Sequence, residues 1–310
     1  MYRNKIISLI VPCLNEELTI KKVINDFRIH MPAINIYVFD NLSTDRTKDI
    51  AVKADAEVRT VYSKGKGNVV RKAFADIESD VYILVDGDAT YDASSVTTLV
   101  DELIDNHLDM VVGKRVIQGS VPSKSYRFGH QLGNKFFNLL VSSLFKKQFT
   151  DIFSGYRVFS KRFVKSFPCL SDGFEIEAEL SLHALQIKAV CTEIPVPYKE
   201  RPEGSLSKLS TYSDGLKILF MLTKVFIYDN PLKFFGVIGL FCFFISTVIL
   251  IPIFNQYFIT HLVPRFPSLF VAIGFILSGI LSLFSGLILD VVTRGRMETK
   301  RMVYLNYPAA

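Results

Sequence analysis

The segment "VYILVDGDATYD", residues 81 to 92, passes from a wholly apolar stretch into carboxylates at Asp86 and Asp88, with Asp92 following. Acids two apart on an extended segment point to the same side, and Gly87 between them leaves room for a ligand to approach the backbone. Two converging carboxylates suit a hard cation, Mg2+ or Mn2+, which takes one or two protein carboxylates and completes its shell with water and substrate phosphates. The plain alternative is an acid pair that only solvates a loop. The surrounding elements decide between them.

Short apolar runs alternate with helical patterns through the first half of the chain. "IISLIVP" is followed by a helix over 18–30, "INIYVFD" by a helix over 44–54, "AEVRTVY" by a helix over 68–77, and then "VYILVD". This alternation predicts an α/β domain around a mostly parallel sheet. Ligands of such sheets bind at the carboxyl ends of the strands, where this chain has Asn15 and Glu16, Asp40 and Asn41, and Asp86 and Asp88. Three acid-bearing strand ends meeting in one crevice favour the cation site. Residues 113–210 are less regular, with a strand expected at "DMVVGKR", an amphipathic stretch over 128–145 and a helix over 174–186.

Of the 310 residues 49% are hydrophobic, and the excess is concentrated in 231–289, which is nearly free of charge. "FFGVIGLFCFFISTVILIPIF" (234–254) and "FPSLFVAIGFILSGILSLFSGLIL" (266–289) each have the ~20 residues that a bilayer-crossing helix needs, and neither has a polar face to turn toward water. Lys217, Lys224 and Lys233 precede the first, Arg294, Arg296, Lys300 and Arg301 follow the second, and only Arg265 lies between, so both long ends are expected in the cytoplasm. "GLKILFMLTKVFIY" (215–228) reads as a helix lying on the membrane surface, with an ordinary core-facing helix as the alternative. The expected organisation is therefore a catalytic domain over 1–210, a juxtamembrane amphipathic helix over 211–230, two transmembrane helices within 231–290 and a basic cytoplasmic tail over 291–310. The apolar run near the start is short, broken by Pro12 and followed by acids, which makes it a first strand rather than a signal peptide. Cys13, Cys169, Cys191 and Cys242 form no CxxC pair, which argues against zinc or a disulfide framework. The net charge of +6 lies largely beside the spans and suits a bilayer or a phosphate, with no nucleic-acid signature.

Seven pieces in fixed order, "VPCLNEE" (11–17), "FDNLSTDRT" (39–47), "KGKGNVVRKAF" (64–74), "DGD" (86–88), "VVGKR" (111–115), "TDIFSGYRVFSK" (150–161) and "IPVPYKERPEGSLSKL" (194–209), carry a resemblance to glycosyltransferase family 2 enzymes of the polyprenyl-phosphate sugar synthase type, which include dolichyl-phosphate mannose synthase. The resemblance implies a GT-A fold, a nucleotide-sugar donor, UDP-linked in preference to GDP-linked, a polyprenyl phosphate acceptor and a homo-oligomer, for which it suggests a tetramer. It implies that Pro12, Glu16 and Asp40 line the nucleoside pocket, that Leu14 and Lys66 lie on the donor side, and that Asp86 and Asp88 serve the ribose and diphosphate through the metal, with Arg115 near the phosphates. Asp88 and Arg115 are the catalytic candidates. Arg127, Arg201 and Lys208 fall on the acceptor side, with Ser207 donating to the acceptor phosphate and Ser205 its rival. Asp151, Ser154 and Arg157 match a motif near the acceptor and could equally fix a loop; Glu177 is expected to orient Arg201. The chain departs from the family pattern at Leu14, where an aromatic residue is frequent, at Asn41 and Leu42, which replace the commoner Asp-Gly, and at Thr90, where some relatives have a glutamine near the metal.

The chemistry is consistent with that resemblance. Charge accumulates on a departing diphosphate, where a divalent cation neutralises it and a guanidinium adds a fork-shaped stabiliser. A phosphate monoester nucleophile, with a second pKa near ~6, is already anionic at neutral pH and needs no general base. His30, His107, His130, His183 and His261 are scattered and offer none. The glycines of "KGKGN" match neither phosphate-loop spacing, although a helix starting near Asn68 would direct its amides either at donor phosphates or into a plain turn. A processive polysaccharide synthase would use a tryptophan-bearing acceptor motif, and the chain contains no tryptophan. A non-catalytic lipid-phosphate scaffold fits poorly with the intact Asp86/Asp88 pair, Arg115 and Arg201, and a haloacid-type phosphatase would need its nucleophilic aspartate near the amino terminus.

Overall fold

The structure, a computed structural model, describes residues 1–117, 149–173, 175–199, 201, 220, 223 and 227–308. The amphipathic stretch expected over 128–145, together with Arg127, Ser205, Ser207 and Lys208, lies outside the described residues, as does most of the surface helix expected over 215–228. The chain divides into two compact units, Met1–Leu219 with Lys300–Ala310, and Phe220–Thr299.

The first unit is built on a seven-stranded sheet. In chain order its elements are β1 (Ile7–Cys13), α1 (Ile20–His30), β2 (Asn35–Asp40), α2 (Thr47–Lys53), β3 (Glu57–Thr60), α3 (Lys66–Asp76), β4 (Val81–Leu84), α4 (Val96–Asp105), β5 (Met110–Ile117), β6 (Arg157–Ser160), α5 (Lys161–Ser166), α6 (Ile176–Gln186) and β7 (Cys191–Tyr198). The strand order is β3-β2-β1-β4-β6-β5-β7, all neighbours parallel except β6, which runs antiparallel to β4 and to β5. Covered on both faces, β1 and β4 read as continuous apolar runs rather than as alternating ones, and Ile7, Leu9, Ile10, Val11 and Val81–Leu84 are fully buried. α1 buries Ile20, Val23, Ile24 and Phe27, the i, i+3, i+4, i+7 stripe of a helix packed on a sheet. The alternating pattern thus marks the parallel half correctly. Four-residue β6 gives too short a run for periodicity to signal, and its insertion makes the sheet mixed.

The second unit consists of α7 (Pro231–Thr260) and the part of α8 (Phe266–Leu305) up to Thr299. Both helices are long and apolar enough to cross a membrane. Small residues let their backbones approach: a Cβ placed on Gly239 would lie 3.1 Å from the Gly279 carbonyl oxygen, and one on Gly279 3.2 Å from that of Gly239. Ser246 Oγ donates to the Ala272 carbonyl at 3.0 Å and Ser282 Oγ to that of Phe235 at 2.8 Å. Elsewhere the helices present large apolar side chains outward, Phe241, Phe244, Phe270 and Phe284 among them.

The second apolar helix continues past Leu289 through the basic segment to Leu305, and residues from Lys300 onward belong to the first unit. There Tyr304 is buried, its ring between the guanidinium groups of Arg162 and Arg301, 4.7 and 4.6 Å from the ring centre, and its hydroxyl donates to Asp109 Oδ2 at 2.8 Å. Asp109 is fully buried and also accepts from Arg162 Nε, Ser160 Oγ and the Val190 amide. Tyr304→Phe, which leaves one acceptor lobe of a buried carboxylate unsatisfied, is expected to lower stability by about 1–2 kcal/mol, and Tyr304→Ala by about 3–5 kcal/mol through the added cavity. Thermal or urea unfolding of the detergent-solubilised protein, followed by circular dichroism, checks both.

Candidate active site

The carboxyl ends of β2, β1 and β4 are adjacent in the sheet, and hydrogen bonds lace together the loops that leave them. The Asn15 amide donates to Ser43 Oγ at 2.9 Å and the Thr44 amide to Asn15 Oδ1 at 2.7 Å, tying the β1 loop to the β2 loop. Thr19 Oγ1 donates to the Gly87 carbonyl at 2.7 Å, tying the β1 loop to the turn after β4. Glu16 is buried, with its amide donating to Thr47 Oγ1 at 2.7 Å, and Asp40 is buried and receives the Ser43 amide at 3.3–3.4 Å. Pro12, near the end of β1, and Leu14, on the loop after it, are half-buried. Asn41 uses its amide group in both senses: Nδ2 donates to the carbonyls of Val61 and Ser63, and Oδ1 accepts from Gly65. An aspartate there could not donate, which accounts for this departure from the family pattern. Three non-glycine residues of the crevice sit in the left-handed region: Asn15 at φ of 53°, Leu42, at the position where glycine is commoner, at 63°, and Ala89 at 57°; asparagine tolerates it, while Leu42 and Ala89 each cost about 1 kcal/mol or more.

Two expectations about the "DGD" segment change. β4 ends at Leu84 and a turn begins at Gly87, so Asp86 and Asp88 do not share one face of an extended segment. The space at Gly87 is not open to a ligand either, since a Cβ there would lie 2.7 Å from Cys13 Sγ; the glycine lets the ends of β1 and β4 pack together. The acids consequently take different partners. Asp88, buried, receives Thr90 Oγ1 at 2.6 Å and the Thr90 amide at 3.1 Å on Oδ1, and Arg201 Nη2 at 2.7 Å on Oδ2. Asp86 Oδ1 receives Lys66 Nζ, which also bonds Glu177 Oε1. Glu177 therefore holds Lys66 and not Arg201, because its place at the start of α6 faces the amino end of α3.

Lys66, Asp86 and Glu177 form a triad drawn from α3, the β4 loop and α6. Burial alone would lower the lysine pKa, but the charges of Asp86 and Glu177 outweigh it and raise the value, so the ammonium stays protonated. Burial lifts the Glu177 carboxyl above the usual range; Lys66 offsets part of this and Asp86 adds to it. Gly155 makes the arrangement possible, since a Cβ there would lie 2.3 Å from Asp86 Oδ2. The amides at the start of α3 do not point at open space: Gly67 and Asn68 donate to the Asp172 carbonyl at 3.0 and 3.4 Å, while Cβ atoms on Gly65 and Gly67 would each lie 2.1 Å from a carbonyl oxygen of Asp172 or Ser171. The glycines of "KGKGN" thus seat the helix on the 171–172 backbone, a packing role in place of phosphate binding.

Arg115 meets Asp151 as a fork, Nε on Oδ2 at 2.9 Å and Nη2 on Oδ1 at 2.7 Å, and the Arg115 amide adds a third bond to Oδ2 at 3.0 Å. The guanidinium also lies 5.6 Å from the centre of the Tyr198 ring. With Lys114 and Thr150 these residues line a cleft of about 340 Å3. Ser154 and Arg157 are fully buried and fix the loop behind the cleft: Ser154 Oγ donates to the Gly113 carbonyl at 2.6 Å, and Arg157 spans Ile152, Ser154 and Ser181. Burial pushes the Arg157 guanidinium down to about 10. Among the alternatives for this motif, loop fixing holds for Ser154 and Arg157, whereas Asp151 faces the cleft. Tyr91, which the sequence reading passed over, connects these parts: its hydroxyl accepts from the Gly155 amide at 2.8 Å, and its ring packs on Tyr198 and Tyr156. An aromatic residue just after an acid pair carries no spacing signal of its own.

The donor set suits a divalent cation only in the way magnesium and manganese commonly bind. Among the described residues no group of three or more His, Cys, Asp or Glu side chains gathers, so a cation here would take Asp86 and Asp88 at most from these residues and would complete its shell with water or substrate oxygens. Thr90 fits as the residue that orients Asp88.

Lys66→Met leaves the buried Glu177 carboxylate beside the half-buried Asp86 with no cation between them and is expected to destabilise the protein by about 3–5 kcal/mol, with part of the loss recovered in Lys66→Met/Glu177→Met. Equilibrium unfolding of the single and double variants measures this. The Asp151 pKa, which burial alone would raise, is lowered by its bonds to Arg115. Its contribution, about 2 kcal/mol for a charge-assisted pair, is therefore present above the unfolded carboxyl pKa and lost as pH falls through the folded value. The stability gap between the wild type and Asp151→Asn should be full near pH 7 and shrink as pH falls below the ordinary carboxyl pKa toward the lowered folded value.

The sequence profile described as Glycosyl transferase family 2 matches residues 8–167. Glycosyltransferase AglJ of Haloferax volcanii is 34% identical over 234 residues, 75% of this chain and 76% of the relative. A dolichyl-phosphate hexose transferase of the same organism is 27% identical over 220 residues, 71% of this chain and 93% of the relative. Among solved structures, glucosyl-3-phosphoglycerate synthase of Mycobacterium tuberculosis, crystallised with Mn2+, UDP-glucose and phosphoglyceric acid, superposes with a TM-score of 0.57 at 20% identity, over 71% of this chain and 79% of that one, so the sheet and its helices have the GT-A form. With three acid-bearing strand ends on that sheet and a relative this similar over three quarters of its length, the chain belongs to glycosyl transferase family 2.

Proposed function

We propose that this glycosyltransferase moves one sugar, with inversion, from a nucleoside-diphosphate sugar, UDP-linked in preference, to a polyprenyl phosphate at the cytoplasmic face of a membrane spanned by α7 and α8. The observation that carries the proposal is the pairing of acids with cations at the strand ends: Asp86 and Asp88 beside Lys66 and Arg201, with Arg115 on the neighbouring cleft. Acids alone would repel a diphosphate and cations alone would not hold a metal. The relative named for dolichyl-phosphate hexose transfer supports the acceptor class, and the solved relative bound to Mn2+ and UDP-glucose supports the donor class.

A divalent cation held by Asp86 and Asp88 would neutralise charge on the departing diphosphate. The protein's own groups do the rest. Glu16 and Asp40, buried at neighbouring strand ends, would receive the hydroxyl groups and base of the nucleoside. Arg115, kept charged and held by Asp151, offers a fork to phosphate oxygens. Arg201, joined by Arg127, Ser207 and Lys208 from the sequence, receives the acceptor phosphate, which attacks as an anion without a base. Buried His183, pushed down to about 3 by burial and the nearby Lys300, is held by Ser166 Oγ and is no candidate base.

The test gives purified protein a panel of UDP- and GDP-sugars with polyprenyl phosphate, with and without EDTA. Transfer to the lipid with one donor, abolished by EDTA and reduced at least about 100-fold in Asp88→Asn, is the expected outcome. No lipid-linked sugar from any donor, or transfer indifferent to both EDTA and Asp88→Asn, overturns the reading.

A further inference from the structure

Both oxygens of Asp88 are engaged: Oδ1 by Thr90 and Oδ2 by Arg201, with the carboxylate side chain 4% exposed. A buried carboxylate needs a counterion to remain ionised, and here the protein supplies its own. Asp86 is treated differently. Its counterion Lys66 is 7% exposed and is held by Glu177 as well, so the lysine keeps a carboxylate partner even if Asp86 turns elsewhere. Arg201 is the more accessible of the two cations, its side chain 29% exposed, and it lies three residues beyond the end of β7. One counterion is built into the core and the other sits at the mouth.

We propose that Arg201 and a divalent cation compete for Asp88, so that Arg201 is the exchangeable counterion of the substrate-free site and its guanidinium is released to bind a phosphate when the cation takes the carboxylate. The inference rests on the proposed metal-dependent transfer and adds an order to it. Binding of the cation at Asp88 and the end of the Arg201–Asp88 pairing become one event, since a divalent cation on the carboxylate neutralises it and repels the guanidinium beside it. Before the cation arrives, the site keeps Asp88 neutralised and Arg201 withheld from stray anions. Lys66, by contrast, stays in place as the fixed charge that orders Asp86.

The two ideas separate in a binding measurement that needs no turnover. Mn2+ binding to the full-length protein in detergent micelles, read by the loss of the free-ion electron paramagnetic resonance signal without nucleotide or lipid, is compared in the wild type, Arg201→Ala, Arg201→Gln, Arg201→Lys and Asp88→Asn. Removal of the competing cation is expected to tighten Mn2+ binding roughly tenfold in Arg201→Ala and Arg201→Gln, the factor that one charge-assisted bond carries, with Arg201→Lys close to the wild type. Asp88→Asn should lose the site. If Mn2+ binds in an Asp88-dependent way but Arg201→Ala and Arg201→Gln bind no more tightly than the wild type, the exchange is wrong and the metal site stands. Equal binding by Asp88→Asn and the wild type removes the metal site and the exchange together.

Discussion

An ammonium group buried between two carboxylates holds the crevice in shape. Lys66 comes from the first turn of α3, Asp86 from the loop after β4 and Glu177 from the first turn of α6, three elements with no other reason to meet at one point. The pieces that deliver them are matched to this contact. Gly65 and Gly67 let α3 settle on the backbone of Ser171 and Asp172, just ahead of α6, and Gly155 lets Asp86 approach a backbone that any side chain would block. Each glycine exchanges conformational freedom in the unfolded chain for a close approach that no other residue permits.

Electrostatics then organises the rest of the site from that fixed point. With Asp86 ordered by the core, Asp88 can be turned the other way, toward Thr90 and Arg201, and the turn that separates the acids is the one in which Ala89 accepts a left-handed backbone. The Arg115–Asp151 fork repeats the logic at the cleft, where a guanidinium is kept rigid and charged by a carboxylate that cannot itself leave. Tyr91 packs edge-on against Tyr198, and Tyr198 in turn lies beside the Arg115 guanidinium, so aromatic packing runs on from the Gly155 backbone to the Arg115–Asp151 pair.

The two units are stabilised by different physics. The first buries a continuous core beneath a twisted sheet, and around it even charged groups, Asp109 and Arg157, are fully enclosed and fully bonded. The second buries little of its apolar surface and relies on close backbone contact at Gly239 and Gly279 and on hydroxyl-to-carbonyl bonds. Tyr304 secures the end of the chain to the first unit through the same enclosed aspartate that serves β6 and α5.

Much was legible before any fold. Alternating apolar runs and helical stripes mark β1 to β4 and their helices, because burial on a parallel sheet leaves long apolar runs, and the same burial places the polar strand ends at Glu16, Asp40 and Asp86. Two long charge-free stretches mark α7 and α8 by composition alone. What only the tertiary structure decided is who pairs with whom. Glu177, expected beside Arg201, meets Lys66; the helix amides after "KGKGN", open between donor phosphates and a plain turn, bond the Asp172 carbonyl; and Gly87, expected to give ligand access, admits Cys13. Local pattern records which residues are buried, but an ion pair joins residues separated by up to 113 positions, as Arg201 and Asp88 are. That choice depends on how helices and loops stack over the sheet, and it lies beyond any periodicity of the chain.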